Sequence, residues 1–217
     1  KEQMEYDDEV AFLANQKLYH LARENDDADR RPWCVTVSFT HPHDPYVARK
    51  KFWDLYEDCE HLQPIVPAIP FDQQDPHSKR LMLACAFDIT PEQVRRARRG
   101  YFANISYLDE KVGELIDTLT RTRMLDDTVI MFCSDHGDML GERGMWFKMS
   151  FLEGSARVPL TVAGPGVTPG THRRPVSNLD VAPTIADLAC ISMSEIMPWT
   201  DGESLLPVIR GGERTSP

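Results

Sequence analysis

Two short polar segments hold the residue types that most readily do chemistry. Residues 134–137 read SDHG and follow an apolar, β-branched run at 128–133, and residues 41–46 read HPHDPY and follow a similar run at 33–40. Each run predicts a buried strand. Because ligands in open α/β sheets bind beyond the carboxyl ends of the strands, the two segments predict one shared site for a metal ion or an anion.

Each feature of this site also has an ordinary explanation. An Asp-His-Gly sequence is typical of a turn in which the Asp caps backbone amides and the Gly takes a positive φ. A histidine pair between prolines often serves capping or surface hydrogen bonds. Lys148 lies thirteen residues after Asp135, beyond Gly141 and Gly144, which fits a loop that returns a cation to the site or a plain surface lysine. The residues alone leave these alternatives open.

Four blocks of the sequence together resemble a known family. They are SDHGDMLGERGMWFKMSFLEGSARVPL at 134–160, THPHDPY at 40–46, SNLDVAPTIADLA at 177–189 and DGESLLPVIRGG at 201–212. They resemble the sulfatases of the alkaline phosphatase superfamily, and within it most closely the choline sulfatases. The resemblance implies an α/β fold with a mostly parallel sheet sandwiched by helices. It also implies an enzyme that hydrolyses a sulfate ester, with choline sulfate as the expected substrate.

The resemblance also implies roles for individual residues. Asp135 and His136 would ligate a divalent metal ion, Ca²⁺, Mn²⁺ or Mg²⁺, since carboxylate oxygens suit hard cations and imidazole favours Mn²⁺. Lys148 would contact the sulfate oxygens, and His43 would hydrogen-bond the ester group, with His41 as a less certain neighbour. Trp146 could offer an aromatic face to a quaternary ammonium ion, although core packing is the commoner role of such a residue.

One part of the family pattern does not occur in this sequence. Sulfatases attack sulfur with a formylglycine made from the cysteine of a C-x-P-x-R or C-x-A-x-R motif, and none of the five cysteines has that context. We therefore expect residues 1–217 to be the carboxyl-side part of a sulfatase catalytic domain and to be inactive alone. The alternatives are a phosphonate monoester hydrolase or phosphodiesterase of the same superfamily, and an inert fragment that retains weak metal binding.

Composition limits the partners. The net charge of −10 argues against nucleic acid, which proteins bind through clustered basic residues. The basic cluster at 95–99 lies in a helical pattern and predicts a solvated face. No apolar run approaches the roughly 18 residues of a membrane helix, so we expect no membrane partner. The expected partner is a small sulfate ester, and a homo-oligomer remains possible.

The five cysteines, Cys34, Cys59, Cys85, Cys133 and Cys190, are odd in number and have no C-x-x-C spacing. Two of them fall in the predicted strands. This pattern favours buried free thiols in a reducing compartment over disulfides or a zinc site, and so predicts a cytoplasmic protein.

The remaining segments predict the elements that position the site. Apolar spacing predicts a covering helix over 7–23 and a long helix from Pro91 to Leu119, which Thr90 and Gln93 would begin as a capping box. The proline-rich stretch 59–80 predicts an irregular surface excursion. Further along, 157–163 predicts a strand in which Pro159 suits an edge strand or the beginning of the strand better than its middle. Asp180 would cap a helix at 181–189.

Overall fold

A computed structural model describes residues 2–24, 31–193 and 198–213. These residues form two compact units. The larger unit comprises residues 2–24, 34–122 and 136–158, and the smaller unit comprises residues 31–33, 123–135, 159–193 and 198–213. Each unit is described by itself below.

The larger unit is helical. Its five helices are α1 (Glu2–Glu24), α2 (Lys50–Trp53), α3 (Pro76–Cys85), α4 (Pro91–Arg121) and α5 (Glu153–Ala156). Short 3₁₀ turns lie at Asp54–Tyr56, Glu60–Leu62, Phe71–Gln73 and Glu142–Gly144. Helices α1 and α2 pack against α4, which makes α4 the central element of this unit.

Helix α4 begins where the sequence predicts. The Thr90 hydroxyl accepts a hydrogen bond from the Gln93 amide at 3.2 Å, and the Gln93 side chain accepts one from the Thr90 amide at 2.7 Å. This capping box satisfies two amides that a helix start leaves unpaired. Further along α4, Ala103 and Tyr107 are fully buried and form a core with Phe52 of α2. The predicted capping box and the long helix are confirmed, but the buried face of the helix is not the one that the apolar spacing predicts, since Ala103 and Tyr107 are buried and Ile105 is exposed.

Helix α1 covers this core through a stripe of small and aliphatic residues at helical spacing. Ala11, Ala14, Leu18 and Leu21 are buried, which confirms the helix predicted over 7–23. The helix begins five residues earlier than predicted. At the first residue of the predicted helix it buries a charged side chain, Asp7, which helical periodicity of apolar residues cannot reveal.

Two predictions for the larger unit are wrong in part. The stretch 59–80 is irregular only as far as Asp75, whose carboxylate accepts the amides of His77 and Ser78 at 2.9 Å each and so starts α3 at Pro76. The cluster at 95–99 is not wholly solvated. Arg98 is buried and donates to the Leu140 carbonyl at 2.9 Å, and Arg99 lies over the Trp53 ring at 4.6 Å. A long arginine stem buries readily while its charged head finds acceptors.

The smaller unit contains the described sheet. Strands β1 (Ile130–Cys133) and β2 (Leu160–Ala163) pair antiparallel, with Ile130 opposite Ala163 and Cys133 opposite Leu160. Pro159 directly precedes β2, so the strand predicted over 157–163 begins three residues later, at Leu160. The parallel pairing expected from the sequence has no counterpart among the described strands. A two-stranded sheet leaves much of its surface uncovered, which explains why Phe132 and Cys133 are exposed although a strand buried on both faces was predicted.

The strand predicted over 33–40 does not form in the described part of the chain. Exposed and half-buried side chains alternate from 34 to 39 as they would in a strand. A strand also requires a neighbouring backbone with which to exchange hydrogen bonds, and the described residues provide none for this segment. Alternating residue types in a sequence indicate which side chains are exposed, but they do not indicate which backbone segment a strand pairs with.

The carboxyl side of the smaller unit contains α6 (Val181–Leu188) and a final short helix, α7 (Leu206–Ile209). Asp180 precedes α6 as predicted, but its carboxylate does not cap that helix. It accepts the Ser177 amide at 2.9 Å, which closes a 3₁₀ turn at Asn178–Asp180, and the Glu203 amide at 2.9 Å. The Asp180 side chain therefore ties the 201–204 segment to the start of α6.

The cysteine prediction holds only in part. The thiols of Cys34, Cys59, Cys133 and Cys190 are free, as expected, but three of these residues are exposed and Cys59 is half-buried.

No helix in the described residues has the length and apolar character needed to cross a membrane.

Candidate active site

The Asp-His-Gly segment lies where the two units divide. Asp135 is exposed and ends one stretch of the smaller unit, after β1, whereas His136 is half-buried and begins the last stretch of the larger unit. The Asn178 side chain donates to the Ser134 carbonyl at 2.8 Å, so the smaller unit fixes the backbone immediately before Asp135. The His136 Nδ1 atom lies 2.8 Å from the Gly137 carbonyl oxygen.

The larger unit brings three of the predicted site residues together. Lys148 contacts His43 through a hydrogen bond between its Nζ atom and the imidazole Nε2 atom, although the two residues are 105 positions apart. The His43 and His136 rings meet edge to face, with centroids 5.8 Å apart. His43, His136 and Lys148 therefore form one cluster, hereafter the histidine–lysine cluster.

Hydrogen bonding assigns the protons of the His43 ring. An ammonium group has three donors and no acceptor, so the Nε2 atom of His43 accepts the hydrogen bond from Lys148. The Nδ1 atom then carries the proton and donates to the Asp44 carbonyl oxygen at 3.0 Å, with an Asp44 carboxylate oxygen also 3.0 Å away. One side of the ring is thus held by Asp44, and the other side faces the cation.

Such a cluster is suited to bind an oxyanion. Lys148 and His43 are each partly exposed. The ammonium group donates hydrogen bonds to anionic oxygens, and the imidazole does so once its Nε2 atom also carries a proton; such charge-assisted bonds are about twice as strong as neutral ones. An anion that enters here would replace the Lys148 contact of His43 with its own oxygens. The same donors can stabilise negative charge that develops during ester cleavage.

The loop that carries Lys148 is built around Asp138. Its carboxylate accepts the amides of Leu140 at 2.9 Å and Phe147 at 3.1 Å, so it closes both ends of the loop. The Tyr46 hydroxyl donates to the same carboxylate at 2.7 Å. Burial, together with this hydrogen bond to Asp138, raises the pKa of Tyr46 well above its usual 10.0 and keeps the phenol neutral.

Phe147 places Lys148 through an unusual backbone conformation. Its φ is 65°, in the left-handed region that residues with a Cβ adopt at an energetic cost, and its ring packs edge to face on Phe87. Trp146, predicted as a substrate contact, is 5% exposed and packs beside the Tyr46 ring. This burial agrees with the alternative role given from the sequence, in which Trp146 packs in the core.

Ser155 connects the Asp-His-Gly segment to Lys148. Its hydroxyl donates to the Lys148 carbonyl at 2.6 Å, and its own carbonyl accepts the Gly137 amide at 2.7 Å. The side chain is buried, with 2% of the residue exposed. A Cβ at Gly137 would meet the Gly154 carbonyl oxygen at 2.2 Å, so only glycine permits this close approach.

His41 is buried and packs against Asp7 and Tyr107. The ring is buried, its Nδ1 atom is 2.6 Å from the Asp7 carboxylate, and it meets the Tyr107 ring edge to face. Asp7 also accepts the amides of Thr40 at 2.7 Å and His41 at 2.9 Å. Burial raises the pKa of Asp7, but these hydrogen bonds, above all the one with His41, outweigh it and hold that pKa below its usual 3.8.

The described residues give only part of a metal site. No group of three or more His, Cys, Asp or Glu side chains within residues 2–24, 31–193 and 198–213 is arranged to hold a metal ion. Asp135 and His136 are adjacent donors of the types that Mn²⁺, Mg²⁺ or Ca²⁺ accept, but these ions take six or more ligands. Chemically the pair fits as a portion of a donor set and not as a complete one.

Sequence reasoning missed four residues that support the cluster: Asp7, Tyr46, Asp138 and Ser155. Tyr46 ends the polar segment 41–46, and Asp138 directly follows the polar segment 134–137. A short acidic side chain near two glycines is a known sign of a turn. Asp7 and Ser155 carry no comparable signal, because each acts through a contact between distant parts of the chain.

Comparison with known proteins identifies relatives along nearly the whole chain. The sulfatase family model matches residues 2–191. The choline-sulfatase of Rhizobium meliloti (strain 1021) is 77% identical over 218 residues, a region that covers 99% of this chain and 43% of that enzyme. Arylsulfatase K of Danio rerio is 40% identical over 126 residues, covering 58% of this chain and 24% of that protein. The chain thus spans less than half the length of these relatives.

Solved structures give the same result for the fold. The phosphonate monoester hydrolase of Agrobacterium radiobacter superposes with a TM-score of 0.78 at 28% identity, over 95% of this chain and 43% of that one. The corresponding enzyme from Silicibacter pomeroyi gives a TM-score of 0.74 at 27% identity. A putative sulfatase from Bacteroides fragilis shares the fold with a TM-score of 0.70. The predicted fold class, a partial α/β fold of the alkaline-phosphatase-like sulfatase type, is confirmed.

Proposed function

Because the chain belongs to the sulfatase family, we propose that it forms the carboxyl-side part of a sulfuric ester hydrolase that acts on choline sulfate. The observation that carries this proposal is the histidine–lysine cluster, in which His43 and Lys148 face each other from distant parts of the chain. Identity of 77% to a choline-sulfatase supports the choice of ester.

In this proposal the substrate's sulfate group enters between His43 and Lys148. The Lys148 ammonium contacts the non-bridging oxygens, where a compact point charge is effective. His43, with a proton on its Nε2 atom as well as on Nδ1, transfers the Nε2 proton to the bridging oxygen as the bond between that oxygen and sulfur breaks. Asp44 holds the opposite side of the ring, so the imidazole keeps its orientation during this transfer. His41 supports the backbone that carries His43.

We further propose that Asp135 and His136 supply two ligands of a divalent cation, Ca²⁺, Mn²⁺ or Mg²⁺, on the basis of their adjacency in the sequence and their donor types. Such an ion would neutralise negative charge on the sulfate oxygens. The formylglycine used by sulfatases does not fit any residue of this chain, since none of its five cysteines lies in the required motif. No role in nucleophilic attack is therefore assigned to these residues.

A second candidate is a phosphonate monoester hydrolase, which two solved structures favour with TM-scores of 0.74 and 0.78. Their identities of 27% and 28% are far below the 77% shared with the choline-sulfatase, so the sulfate ester is the preferred substrate. Cytoplasmic location and assembly into a homo-oligomer stay predictions from the sequence.

The test compares two substrates on one full-length enzyme that contains this sequence. We expect a higher kcat/KM for choline sulfate than for a phenyl phosphonate monoester, with His43→Ala abolishing most of both activities. A higher kcat/KM for the phosphonate would select the second candidate. Activity on neither ester, in a folded and metal-loaded preparation, would leave only the inert fragment.

A further inference from the structure

Helix α1 holds the loop that carries His43 at both of its ends. Gln3 and Asp7 are four residues apart and so share one face of the helix. Asp7 accepts the amides of Thr40 at 2.7 Å and His41 at 2.9 Å, where the loop begins. Gln3 donates from its Nε2 atom to the Asp44 carbonyl at 3.0 Å, where the loop ends. His43 lies between these two attachments.

The attachment at Asp44 reaches the His43 ring directly. The Asp44 carbonyl that accepts from Gln3 is the same one that accepts from the Nδ1 atom of His43, also at 3.0 Å. This carbonyl fixes the ring orientation and leaves Nε2 directed at Lys148. Gln3 is therefore one hydrogen bond away from the atom that orients the imidazole.

The Asp7 carboxylate is buried at this attachment, and hydrogen bonds compensate for the water that it loses. Asp7 and the His41 side chain have 0% and 1% of their surface exposed, and burying a charged carboxylate is unfavourable unless hydrogen bonds replace the lost water. Three hydrogen bonds do so here, from the His41 ring at 2.6 Å and from two amides. A carboxylate in this position specifies a loop conformation that an apolar side chain could not.

We propose that Gln3 and Asp7 are positioning residues for His43, and that α1 serves the active site and not only the core. The inference rests on the proposed sulfatase function for its meaning in catalysis. Its structural content is independent of that function. Loss of either attachment is expected to let the His43 ring turn away from the productive orientation without disturbing contacts that Lys148 makes with the substrate.

The experiment is a pair of double-mutant cycles in the full-length enzyme, with choline sulfate as substrate. Gln3→Ala is expected to lower kcat about fivefold, the worth of one hydrogen bond, and Asp7→Asn about 10- to 100-fold, the effect of a small misplacement. KM should change little. In the His43→Ala enzyme neither substitution should lower kcat much further, because both act through the His43 ring, which that enzyme lacks.

Asp8→Asn is the matched control. It removes a carboxylate one position away on the same helix, whose partners are Arg49, Tyr107 and Lys111 and not the histidine loop. Its kcat should equal that of the wild type. Losses from Gln3→Ala and Asp7→Asn that add fully to His43→Ala, or that match Asp8→Asn, would overturn the proposal. Gln3→Ala removes a half-buried side chain and keeps the test valid if Asp7→Asn fails to fold.

A second readout separates this inference from the proposed function. In NMR spectra of the 217-residue chain, the His43 ring nitrogen resonances should shift in Gln3→Ala and stay unchanged in Asp8→Asn. That result supports the positioning role even if the enzyme proves inactive on every sulfate ester. Unchanged His43 resonances in Gln3→Ala would refute it whatever the activity.

Discussion

Replacing Gly137 by alanine should break the connection between the Asp-His-Gly segment and Lys148. The new Cβ would lie 2.2 Å from the Gly154 carbonyl oxygen and 3.3 Å from the Ser155 carbonyl oxygen. Real Cβ atoms essentially never approach another heavy atom within 3.0 Å, so the two backbones must separate by at least about 0.8 Å. Both neighbours are backbone atoms, and rotation of a side chain cannot relieve the contact.

This separation has an energetic cost that the geometry sets. Overpacking of this kind costs about 1–3 kcal/mol. The Gly137 amide also loses its 2.7 Å hydrogen bond to the Ser155 carbonyl, which adds about 1 kcal/mol. We therefore expect Gly137→Ala to lower the free energy of unfolding by about 2–4 kcal/mol. In the full-length enzyme a displacement near 1 Å is expected to reduce kcat about 10²-fold.

Urea denaturation of the 217-residue chain measures the stability change, with Gly113→Ala as the control. Gly113 lies within α4, and a Cβ there meets nothing within 4 Å. Since alanine is the better helix former, Gly113→Ala should stabilise the chain by about 0.5–1 kcal/mol. A Gly137→Ala protein within about 0.5 kcal/mol of wild type, the range of ordinary surface substitutions, would refute the reasoning.

Three further predictions test other parts of the structure. Ser155→Ala should lower kcat in the full-length enzyme about fivefold through loss of its bond to the Lys148 carbonyl, whereas Ser106→Ala, which loses a 2.7 Å contact with Tyr56, should not. The hydroxyl and amide of Ser78 hold the pKa of Asp75 at about 2, below its usual 3.8, so the α3 cap contributes stability above pH 3.8 that is lost as the pH falls through about 2. Acid denaturation of Asp75→Asn should lack that component, and an unchanged profile would contradict it. The purified 217-residue chain should turn over no sulfate ester, because it contains no formylglycine motif; hydrolysis that persists through purification and disappears in His136→Ala would contradict this.

The parts of the structure that the sequence predicts are those set by neighbouring residues. The capping box of Thr90 and Gln93 spans three residues, and its meaning does not depend on the rest of the chain. The Asp75 cap was equally local and visible, but the surrounding prolines favoured an irregular segment. The burial of Arg98 against Leu140 was not predictable, because 42 residues separate them.

The candidate site likewise contains some features that the sequence predicts and others that depend on contacts made by the fold. Residue types and the family resemblance predicted His43, His136 and Lys148, and the contact between His43 and Lys148 spans 105 positions. Asp7 and Ser155, which contact the segments that carry His43 and Lys148, act largely through backbone groups of those segments. A backbone hydrogen bond does not depend on the type of the residue that supplies the backbone group, so no rule based on residue spacing could have predicted these contacts. The antiparallel pairing of β1 and β2 was missed for the same reason, since apolar runs do not specify their partners.

The most direct test is the kinetics of Lys148 variants with choline sulfate in the full-length enzyme, measured beside the amount of bound metal. If the ammonium contacts the sulfate oxygens, Lys148→Ala should reduce kcat/KM about 10²-fold or more and leave the metal content unchanged. Lys148→Arg should restore little, because a planar guanidinium cannot replace a compact ammonium beside His43. Lys51→Ala, which removes an exposed lysine paired with Glu110, should match the wild type. Near-normal kinetics in Lys148→Ala, or a parallel loss of metal and activity, would contradict the assignment of Lys148 to the sulfate group.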